Sequence, residues 1–170
     1  MSLTSRIKHY LQASMFPSDA SHACGTFIGM RISDKTSQAI QDYCKENSIP
    51  EPIDPEDMHV TICYSLVPKP DYPVDSNRKF INKDVKGRSF DVFGDDKNCL
   101  VLKIRSNTLN QMHQRALDSG LTHTYPDFTP HITFSYGLPQ GFDASKLPPF
   151  DQDIHFRDEY KNGLVDRDDD

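Results

Sequence analysis

One short pattern occurs twice in the chain. It reads MHVTICYS and, further along, PHITFSYG. His59 and Thr61 of the first copy match His131 and Thr133 of the second, with apolar residues at the positions between them. Such alternation is typical of a half-buried β-strand, because successive side chains on a strand point to opposite faces. The repeat therefore predicts two strands, each with an imidazole and a hydroxyl on one face and an apolar core on the other.

The same alternation assigns the residues that follow each threonine. Cys63 and Ser135 share the parity of the histidines, so we expect that either can lie at the edge of a cleft. Tyr64 and Tyr136 have the opposite parity, which predicts that both face the core and are structural. Cys63 ranks well below the histidines as a nucleophile, since no neighbour in the sequence would activate its thiol.

Helices and strands are predicted around the two motifs from spacing and capping residues. Ser33 is the expected N-cap of a helix over 34–47, and Ser106 precedes a second helix that ends at Gly120. A short helix is predicted over 4–16, and strands over 23–32, 58–64, 88–93, 99–105, 130–136 and 152–157. Each motif strand follows soon after a helix, so the order predicts an α+β protein with two similar lobes facing each other.

Charge and composition restrict what the chain can bind. The 170 residues carry a formal net charge of −6 and no run of Lys and Arg, whereas binding along a long nucleic acid needs a basic stripe. We therefore expect few phosphates, held in a local pocket. No apolar stretch is long enough for a membrane span and the N-terminus lacks a signal peptide's apolar segment, which predicts a cytoplasmic protein with no membrane partner. The oligomeric state stays open.

The four cysteines and the motif residues argue against a bound metal ion. No C-x-x-C pair occurs, which predicts free thiols and neither a zinc nor a redox site. A His-x-Thr pair is also a poor metal site, because threonine is a poor zinc ligand. Two histidines on opposite sides of a phosphate, in contrast, can act as proton acceptor and proton donor at neutral pH, while threonine hydroxyls donate to the non-bridging oxygens. We expect no cofactor.

The paired motifs resemble the signature of the two-histidine (2H) phosphoesterase superfamily. Within it, the segments GTFIGMRISDKT, IPEPIDPEDMHVTICYS and YPDFTPHITFSYG are most similar to phage anti-CBASS phosphodiesterases. CBASS is a bacterial defence in which cyclic di- and trinucleotides trigger suicide effectors. The resemblance implies a bilobal α+β fold, with two antiparallel-rich sheets and outer helices around a central cleft. It spans 23–160 as a single domain, and residues 1–22 and the acidic tail 161–170 look like extensions.

The resemblance also implies a substrate and a reaction. The chain would cleave 3′–5′ linkages of cyclic messengers such as cyclic GMP-AMP without a metal, with His59, Thr61, His131 and Thr133 as catalytic residues. Which histidine is the base stays open. A 2′,3′-cyclic phosphodiesterase acting on RNA ends, a non-catalytic sponge for cyclic nucleotides, and a structural relic of duplication are the alternatives.

Three further residues are candidates for substrate binding. Phe27 and Phe93 are expected to stack on nucleobases, with a role in the core as the alternative for both. Glu159 follows the last predicted strand, and the resemblance implies that it closes over the pocket as part of a C-terminal lid. Of the remaining histidines, His113 is expected to be a packed helix residue, and His123 a surface residue that can line the cleft.

Overall fold

The protein is described here from a computed structural model that covers residues 24–125 and 127–165. Within these residues the chain forms seven strands and two α-helices. In chain order they are β1 (Gly25–Ile32), α1 (Asp34–Glu46), β2 (His59–Ser65), β3 (Phe80–Asn82), β4 (Ser89–Phe93), β5 (Cys99–Lys103), α2 (Asn107–Asp118), β6 (His131–Ser135) and β7 (Ile154–Leu164). The helix predicted over 4–16 lies outside the described residues.

The strands form a single seven-stranded sheet in the order β3-β7-β1-β2-β6-β5-β4, with every neighbouring pair antiparallel. The α+β class is confirmed, but the prediction of two separate sheets is corrected. The two halves join because β2 pairs with β6 through Val60 and Ile132, the apolar residues inside the two motifs. The chain therefore places its two His-x-Thr segments on adjacent central strands.

The two halves of the sheet repeat one arrangement about this central pair. From the centre outwards, one half runs β2, β1, β7 and the other runs β6, β5, β4, and the short strand β3 extends the first half at its edge. β1 and β5 each pair with a motif strand and each register contains one irregularity. The sheet thus has pseudo-twofold symmetry, which puts equivalent positions of the repeat on either side of one axis.

One face of the sheet carries the core and both helices. Met30, Val60, Ile132 and Leu102 follow one another across four neighbouring strands, and all belong to the main buried cluster. The helices contribute Ile40, Tyr43 and Cys44 from α1, and Leu109, Met112 and Ala116 from α2, to the same cluster. Because the apolar residues of the motifs point into this core, the histidines and threonines must point to the other face.

The helix boundaries follow the predicted signals. The Ser33 side chain accepts a hydrogen bond from the Thr36 backbone N–H at the start of α1, and the Ser106 side chain accepts one from Leu109 at the start of α2. Gly120 follows α2 with a φ of +104°, the left-handed conformation that favours glycine after a helix.

The C-terminal strand is longer than the sequence predicts. β7 continues to Leu164, seven residues beyond the predicted strand end at 157, because Leu164 pairs with Gly25 and is buried against Phe27. Residues 161–164 are therefore part of the sheet. Among the described helices, none has the length and apolar character that a membrane crossing requires.

Candidate active site

The two motif histidines are held in the same way. His59 Nδ1 lies 2.7 Å from the backbone oxygen of Asp57, and His131 Nδ1 lies 2.7 Å from the backbone oxygen of Thr129. Because a carbonyl oxygen only accepts hydrogen bonds, each Nδ1 carries the proton and donates it. Each neutral ring therefore keeps Nε2 unprotonated as the proton acceptor.

The pairing of β2 with β6 brings the two motifs into one chamber. Val60 faces Ile132 in antiparallel register, so His59 is flanked across the strands by Thr133, and Thr61 by His131. All four motif side chains line a cavity of about 180 Å³ on the face opposite the core. The structure therefore brings together the four residues that the sequence predicts to be catalytic.

Burial of the two imidazoles lowers the pKa of each below its usual value. For His131, the hydrogen bond to the Thr129 carbonyl partly opposes this shift by raising the pKa. For His59, burial is again the main cause. The hydrogen bond to the Asp57 carbonyl and the Asp57 carboxylate raise the pKa, whereas electrostatic interactions with His131 and Arg31 lower it further. Both rings are thus set to be neutral near pH 7 while the chamber holds no anion.

The predicted parity fails beyond Thr61, because β2 has a bulge there. Gly29 of β1 pairs with Thr61, but the next pair is Ile28 with Cys63, so Ile62 is an extra residue. Ile62 and Cys63 consequently both face the core. The expectation that Cys63 edges the cleft is wrong, and burial raises the pKa of its thiol to about 12. Tyr64 turns to the cleft face instead, where it is 4% exposed in a cluster with Phe27.

The second motif has the same bulge. Val101 of β5 pairs with Thr133, and the next pair is Leu100 with Ser135, which leaves Phe134 as the extra residue. Ser135 is buried on the core side and its Oγ donates to the backbone oxygen of Pro50 at 2.5 Å. The expectation that Ser135 edges the cleft is therefore wrong. Tyr136, which was expected to face the core, packs against the edge of the main buried cluster. Tyr136 lines the cleft, and burial raises the pKa of its phenol to about 12.

Each motif histidine is in edge-to-face contact with one phenylalanine, but the two phenylalanines differ in accessibility. Phe27 lies 5.6 Å from His59 between ring centroids and is fully buried. Phe93 lies 5.0 Å from His131, is half-buried, and lines the 180 Å³ chamber. Only Phe93 of this pair offers a face to a ligand, so the structure favours the core alternative for Phe27.

Glu159 does not reach the cleft. It pairs with Met30 of β1 and therefore points to the core face, where its side chain is 1% exposed. One carboxylate oxygen accepts a hydrogen bond from the Asp75 backbone N–H at 2.8 Å. The expectation of a lid residue is corrected, because Glu159 lies inside the long strand β7 and its parity is that of the buried residues.

A second, larger chamber adjoins the first. It has a volume of about 450 Å³, and His59 and Tyr136 line both chambers. Arg31 and Tyr160 line it, together with four carboxylates from the segment before β2, which are Glu51, Asp54, Glu56 and Asp57. The cleft is therefore a small chamber with both histidines, continuous at its wall with a larger chamber of acidic character.

Arg31 is a residue of the cleft that the sequence reasoning missed. It pairs with His59 across β1 and β2, and its guanidinium lies 3.8 Å from the centroid of the Tyr160 ring. One guanidinium nitrogen lies 2.6 Å from a carboxylate oxygen of Asp158. At the equivalent place in the other half, Lys103 pairs with His131. The strand pattern GTFIGMRI contains this signal, since Arg31 is the one charged residue of this strand, but only the pairing reveals its neighbour.

Three potential metal-ligating side chains also lie close together next to the motif strand β2. One ligand atom each of Cys63, His113 and His123 lies within 4.8 Å of the other two. His113 Nδ1 is 2.6 Å from the backbone oxygen of Ile62, and His123 Nδ1 accepts from the backbone N–H of Tyr64 at 3.4 Å. Burial, and then the charge of His113, lower the pKa of His123 to about 4. His123 lines the small chamber, as one of the two sequence expectations for it stated.

Comparison with protein families identifies the chain. Residues 24–170 match the family model described as anti-CBASS protein Acb1. The chain belongs to the Acb1 family. It is 30% identical over 138 residues to the Acb1 protein of Salmonella phage S16, and 30% identical over 139 residues to that of Enterobacteria phage T4; both alignments cover 81% of this chain and 89% of the relative. The Acb1 protein of Yersinia phage phiR1-RT is 35% identical over 115 residues, 67% of this chain and 72% of the relative.

Solved structures of low sequence identity share the fold. A crystal structure described as a phosphoesterase superimposes with a TM-score of 0.55 at 15% identity, covering 85% of this chain and 91% of the other. The E. coli LigT structure complexed with phosphate gives a TM-score of 0.55 at 12% identity, covering 86% and 90%. The predicted 2H-phosphoesterase-like fold is thus confirmed for this member of the Acb1 family.

Proposed function

We propose that this Acb1-family protein is a metal-independent phosphodiesterase that opens cyclic di- or trinucleotide signals of the cyclic GMP-AMP type at a 3′–5′ linkage, and so counteracts CBASS in the cytoplasm of the host bacterium. The observation that carries the proposal is the matched anchoring of His59 and His131. Two imidazoles with free Nε2 atoms share a chamber of about 180 Å³ with the hydroxyls of Thr61 and Thr133.

The reaction is an internal displacement at phosphorus. The ribose 2′-oxygen next to the scissile linkage forms a bond to phosphorus as one histidine Nε2 takes its proton. The bond from phosphorus to the 5′-oxygen breaks, and the other histidine, which enters the step protonated, gives its proton to that oxygen. The ring opens to a linear nucleotide with a 2′,3′-cyclic phosphate, which water can hydrolyse with the two histidine roles exchanged.

The surroundings of the histidines favour this division of roles. Both pKa values are lowered by burial, so a neutral base is available near pH 7, and the negative phosphate favours protonation of the second ring. The threonine hydroxyls are placed to donate hydrogen bonds to the non-bridging oxygens, whose negative charge grows in the transition state. Arg31, beside His59, adds a cation at the wall of the larger chamber.

The ligand set supports a reaction without a metal ion. Among the described residues, the group of ligand atoms close enough to hold an ion is that of Cys63, His113 and His123, and it includes neither motif histidine. His59 and His131 each commit one ring nitrogen to a backbone carbonyl. Their neighbours across the strands are threonines, which are poor ligands for zinc.

The shape and charge of the cleft favour a small cyclic nucleotide over a long nucleic acid. The larger chamber of about 450 Å³ is lined by four carboxylates, which repel a phosphate backbone but accept hydrogen bonds from the amino and imino groups of bases. In the smaller chamber, the half-buried Phe93 offers an aromatic face. A compact ligand with its phosphate at the histidines and its bases in both chambers matches this distribution.

The decisive experiment is turnover of cyclic GMP-AMP in the presence of EDTA, with the linear product separated by chromatography. We expect full activity in EDTA and a loss of at least about a hundredfold in His59→Ala and in His131→Ala, since one acid or base contributes a factor of about 10² to 10⁴. His155→Ala is the matched control, because His155 lies on β7 outside both chambers. A metal requirement or an active motif variant refutes the mechanism.

Two further substrates separate the alternatives. A cyclic dinucleotide without the 2′-hydroxyl next to the scissile linkage should resist cleavage, and its cleavage at the normal rate would exclude internal attack. Faster turnover of a nucleoside 2′,3′-cyclic phosphate than of cyclic GMP-AMP would instead assign the chain to RNA-end chemistry. Binding of cyclic GMP-AMP without any turnover would assign it to the non-catalytic sponges.

A further inference from the structure

Three potential metal ligands meet beside the cleft, each from a different part of the fold. Cys63 lies on β2, His113 on α2, and His123 in the segment that follows α2. One ligand atom of each residue lies within 4.8 Å of the ligand atoms of the other two. No short spacing in the sequence reveals this group, because its members are far apart in the chain, and the proposed reaction uses none of them.

The bulge in β2 is what turns the thiol towards the helix. Because Ile62 is the extra residue, Cys63 points to the core face, on which both helices pack. Cys63 is fully buried, and its Sγ lies 3.6 Å from the backbone oxygen of Thr122, the residue before His123. A regular strand would place this thiol on the cleft face instead, away from α2.

The two imidazoles are held in a way that allows them to bind an ion. His113 Nδ1 donates to the backbone oxygen of Ile62 at 2.6 Å, which leaves Nε2 unprotonated, and metal-binding histidines are commonly anchored in this way. The His123 ring lies 4.6 Å from the His113 ring between centroids, nearly perpendicular to it. The hydrogen bond that His123 Nδ1 accepts from the Tyr64 N–H is long, at 3.4 Å, so the ring loses little when it turns a nitrogen towards an ion.

We propose that Cys63, His113 and His123 form a binding site for a transition-metal ion, and that Zn²⁺ is the ion it takes. A thiolate and two imidazoles are ligands that Zn²⁺ prefers, whereas Mg²⁺ and Ca²⁺ bind oxygen. Coordination sends the thiol proton of Cys63 into solvent and leaves its thiolate bound to the ion. Zn²⁺ takes four ligands, and a water molecule can complete the set from the small chamber, whose wall includes His123.

The expected effect of the ion is on stability. The bound ion ties the motif strand β2 to α2 and to the segment that leads towards β6. Neither motif histidine is a ligand, so the proposed proton transfers do not depend on the ion. An ion that binds the folded chain and not the unfolded one raises the free energy of unfolding by mass action.

Calorimetric titration of the full chain with Zn²⁺, after treatment with EDTA and desalting, tests the site. We expect about one ion bound per chain, with proton release shown by repeating the titration in buffers of different ionisation enthalpy. Cys63→Ser and His113→Gln should each weaken binding at least about a hundredfold, since loss of even an outer partner of a ligand costs about 10- to 100-fold. Cys44→Ser is the matched control, because Cys44 is equally buried but belongs to no group of three ligand atoms among the described residues.

Co²⁺ provides a spectroscopic signature of the same ligands. Wild type and Cys44→Ser should show the near-ultraviolet charge-transfer band of a thiolate–cobalt bond, and Cys63→Ser should lose it. His123→Gln, at a half-buried position, serves as a second variant in case Cys63→Ser does not fold, and it should weaken Zn²⁺ binding by a similar factor. Zn²⁺ at a hundred times its Kd should raise the Tm of the wild type by roughly 5–10 °C and leave that of His123→Gln nearly unchanged.

A competing site at the motif histidines is tested with His131→Ala. This variant should bind Zn²⁺ as the wild type does; loss of binding in it, with binding retained in Cys63→Ser, would overturn the proposal. A Co²⁺ spectrum of the wild type without a thiolate band would overturn it as well. If turnover of cyclic GMP-AMP stops in EDTA and returns with Zn²⁺ in the wild type but not in Cys63→Ser, the site stands and the metal-independent mechanism fails.

Discussion

Substitution of Phe27 and Phe93 separates a packing role from a ligand-binding role at two equivalent places. Both rings contact a motif histidine edge to face, at 5.6 Å and 5.0 Å between centroids. Phe27 is fully buried with Tyr64 and Leu164, whereas Phe93 is half-buried at the wall of the small chamber. The same change in side chain should therefore alter stability at one position and substrate affinity at the other.

The expected loss of stability at Phe27 and the expected loss of substrate affinity at Phe93 differ clearly in size. Truncation of a buried phenylalanine to alanine costs about 3–5 kcal/mol in free energy of unfolding, a large part of the roughly 5–15 kcal/mol typical of a domain. Loss of one base-stacking ring costs about 1–3 kcal/mol of binding, which corresponds to an increase in KM of about 5- to 150-fold. Phe93→Ala should show the second effect with a loss of stability below about 1.5 kcal/mol, because its ring is only half-buried.

Urea unfolding and steady-state turnover of cyclic GMP-AMP, measured on the same preparations, provide the test. Phe27→Leu and Phe93→Leu serve as milder variants that keep apolar volume and remove the aromatic face, in case Phe27→Ala does not fold. Any effect of Phe27→Leu on turnover should fall on kcat through His59, not on KM. A tenfold rise in KM for Phe27→Leu, with a stability loss under about 0.5 kcal/mol, would refute the reasoning from burial.

Further predictions concern the cation beside His59, the glycine under Tyr160 and the pH dependence of stability. Arg31→Ala should raise KM for cyclic GMP-AMP about tenfold, because a charged hydrogen bond contributes roughly 1.5–3 kcal/mol. Arg31→Lys should recover part of the affinity, and the effect should be smaller at high salt, which screens the charge. Equal KM in the wild type and both variants would exclude a phosphate contact. Gly29→Ala should displace the Tyr160 ring, because ring atoms lie 2.7 Å from the position of the added Cβ. The turnover kinetics and the NMR signals of the Tyr160 side chain should both change, and unchanged signals would contradict the close packing. The pKa of His123 is lowered to about 4, so the unfolded state binds a proton that the folded state does not as pH falls from about 6.5 towards 4. The free energy of unfolding in EDTA should therefore fall over this pH window by on the order of 1–2 kcal/mol more in the wild type than in His123→Asn, with His155→Asn as the control. Identical pH profiles for the wild type and His123→Asn would disprove the assignment.

The local pattern of the sequence was sufficient to predict the four central side chains of the site. Period-two alternation over His59-Val60-Thr61 and His131-Ile132-Thr133 assigns the histidines and threonines to one face, and this holds in the structure because no irregularity interrupts either triplet. The caps at Ser33 and Ser106 are equally local, since a side chain there bonds a backbone N–H three residues away. The α+β class follows from such local signals.

The neighbours of these four side chains were decided by the tertiary structure. A bulge depends on how two strands align, so the sequence of β2 alone cannot show that Ile62 is the extra residue and that Tyr64 turns outwards. Arg31 becomes a neighbour of His59 only through strand pairing, and Phe27 is buried partly by Leu164, which lies near the other end of the chain.

The number of sheets was likewise decided by the tertiary structure and not by the local sequence. The repeat predicts two equivalent strands, but whether they belong to two sheets or one depends on a contact between residues far apart in the chain. The pairing of Val60 with Ile132 makes one sheet and sets the two histidines on adjacent strands. Side-chain parity is a property of a few consecutive residues and can be read from the sequence, whereas strand register, bulges and burial are properties of pairs of segments and appear only when the chain is folded.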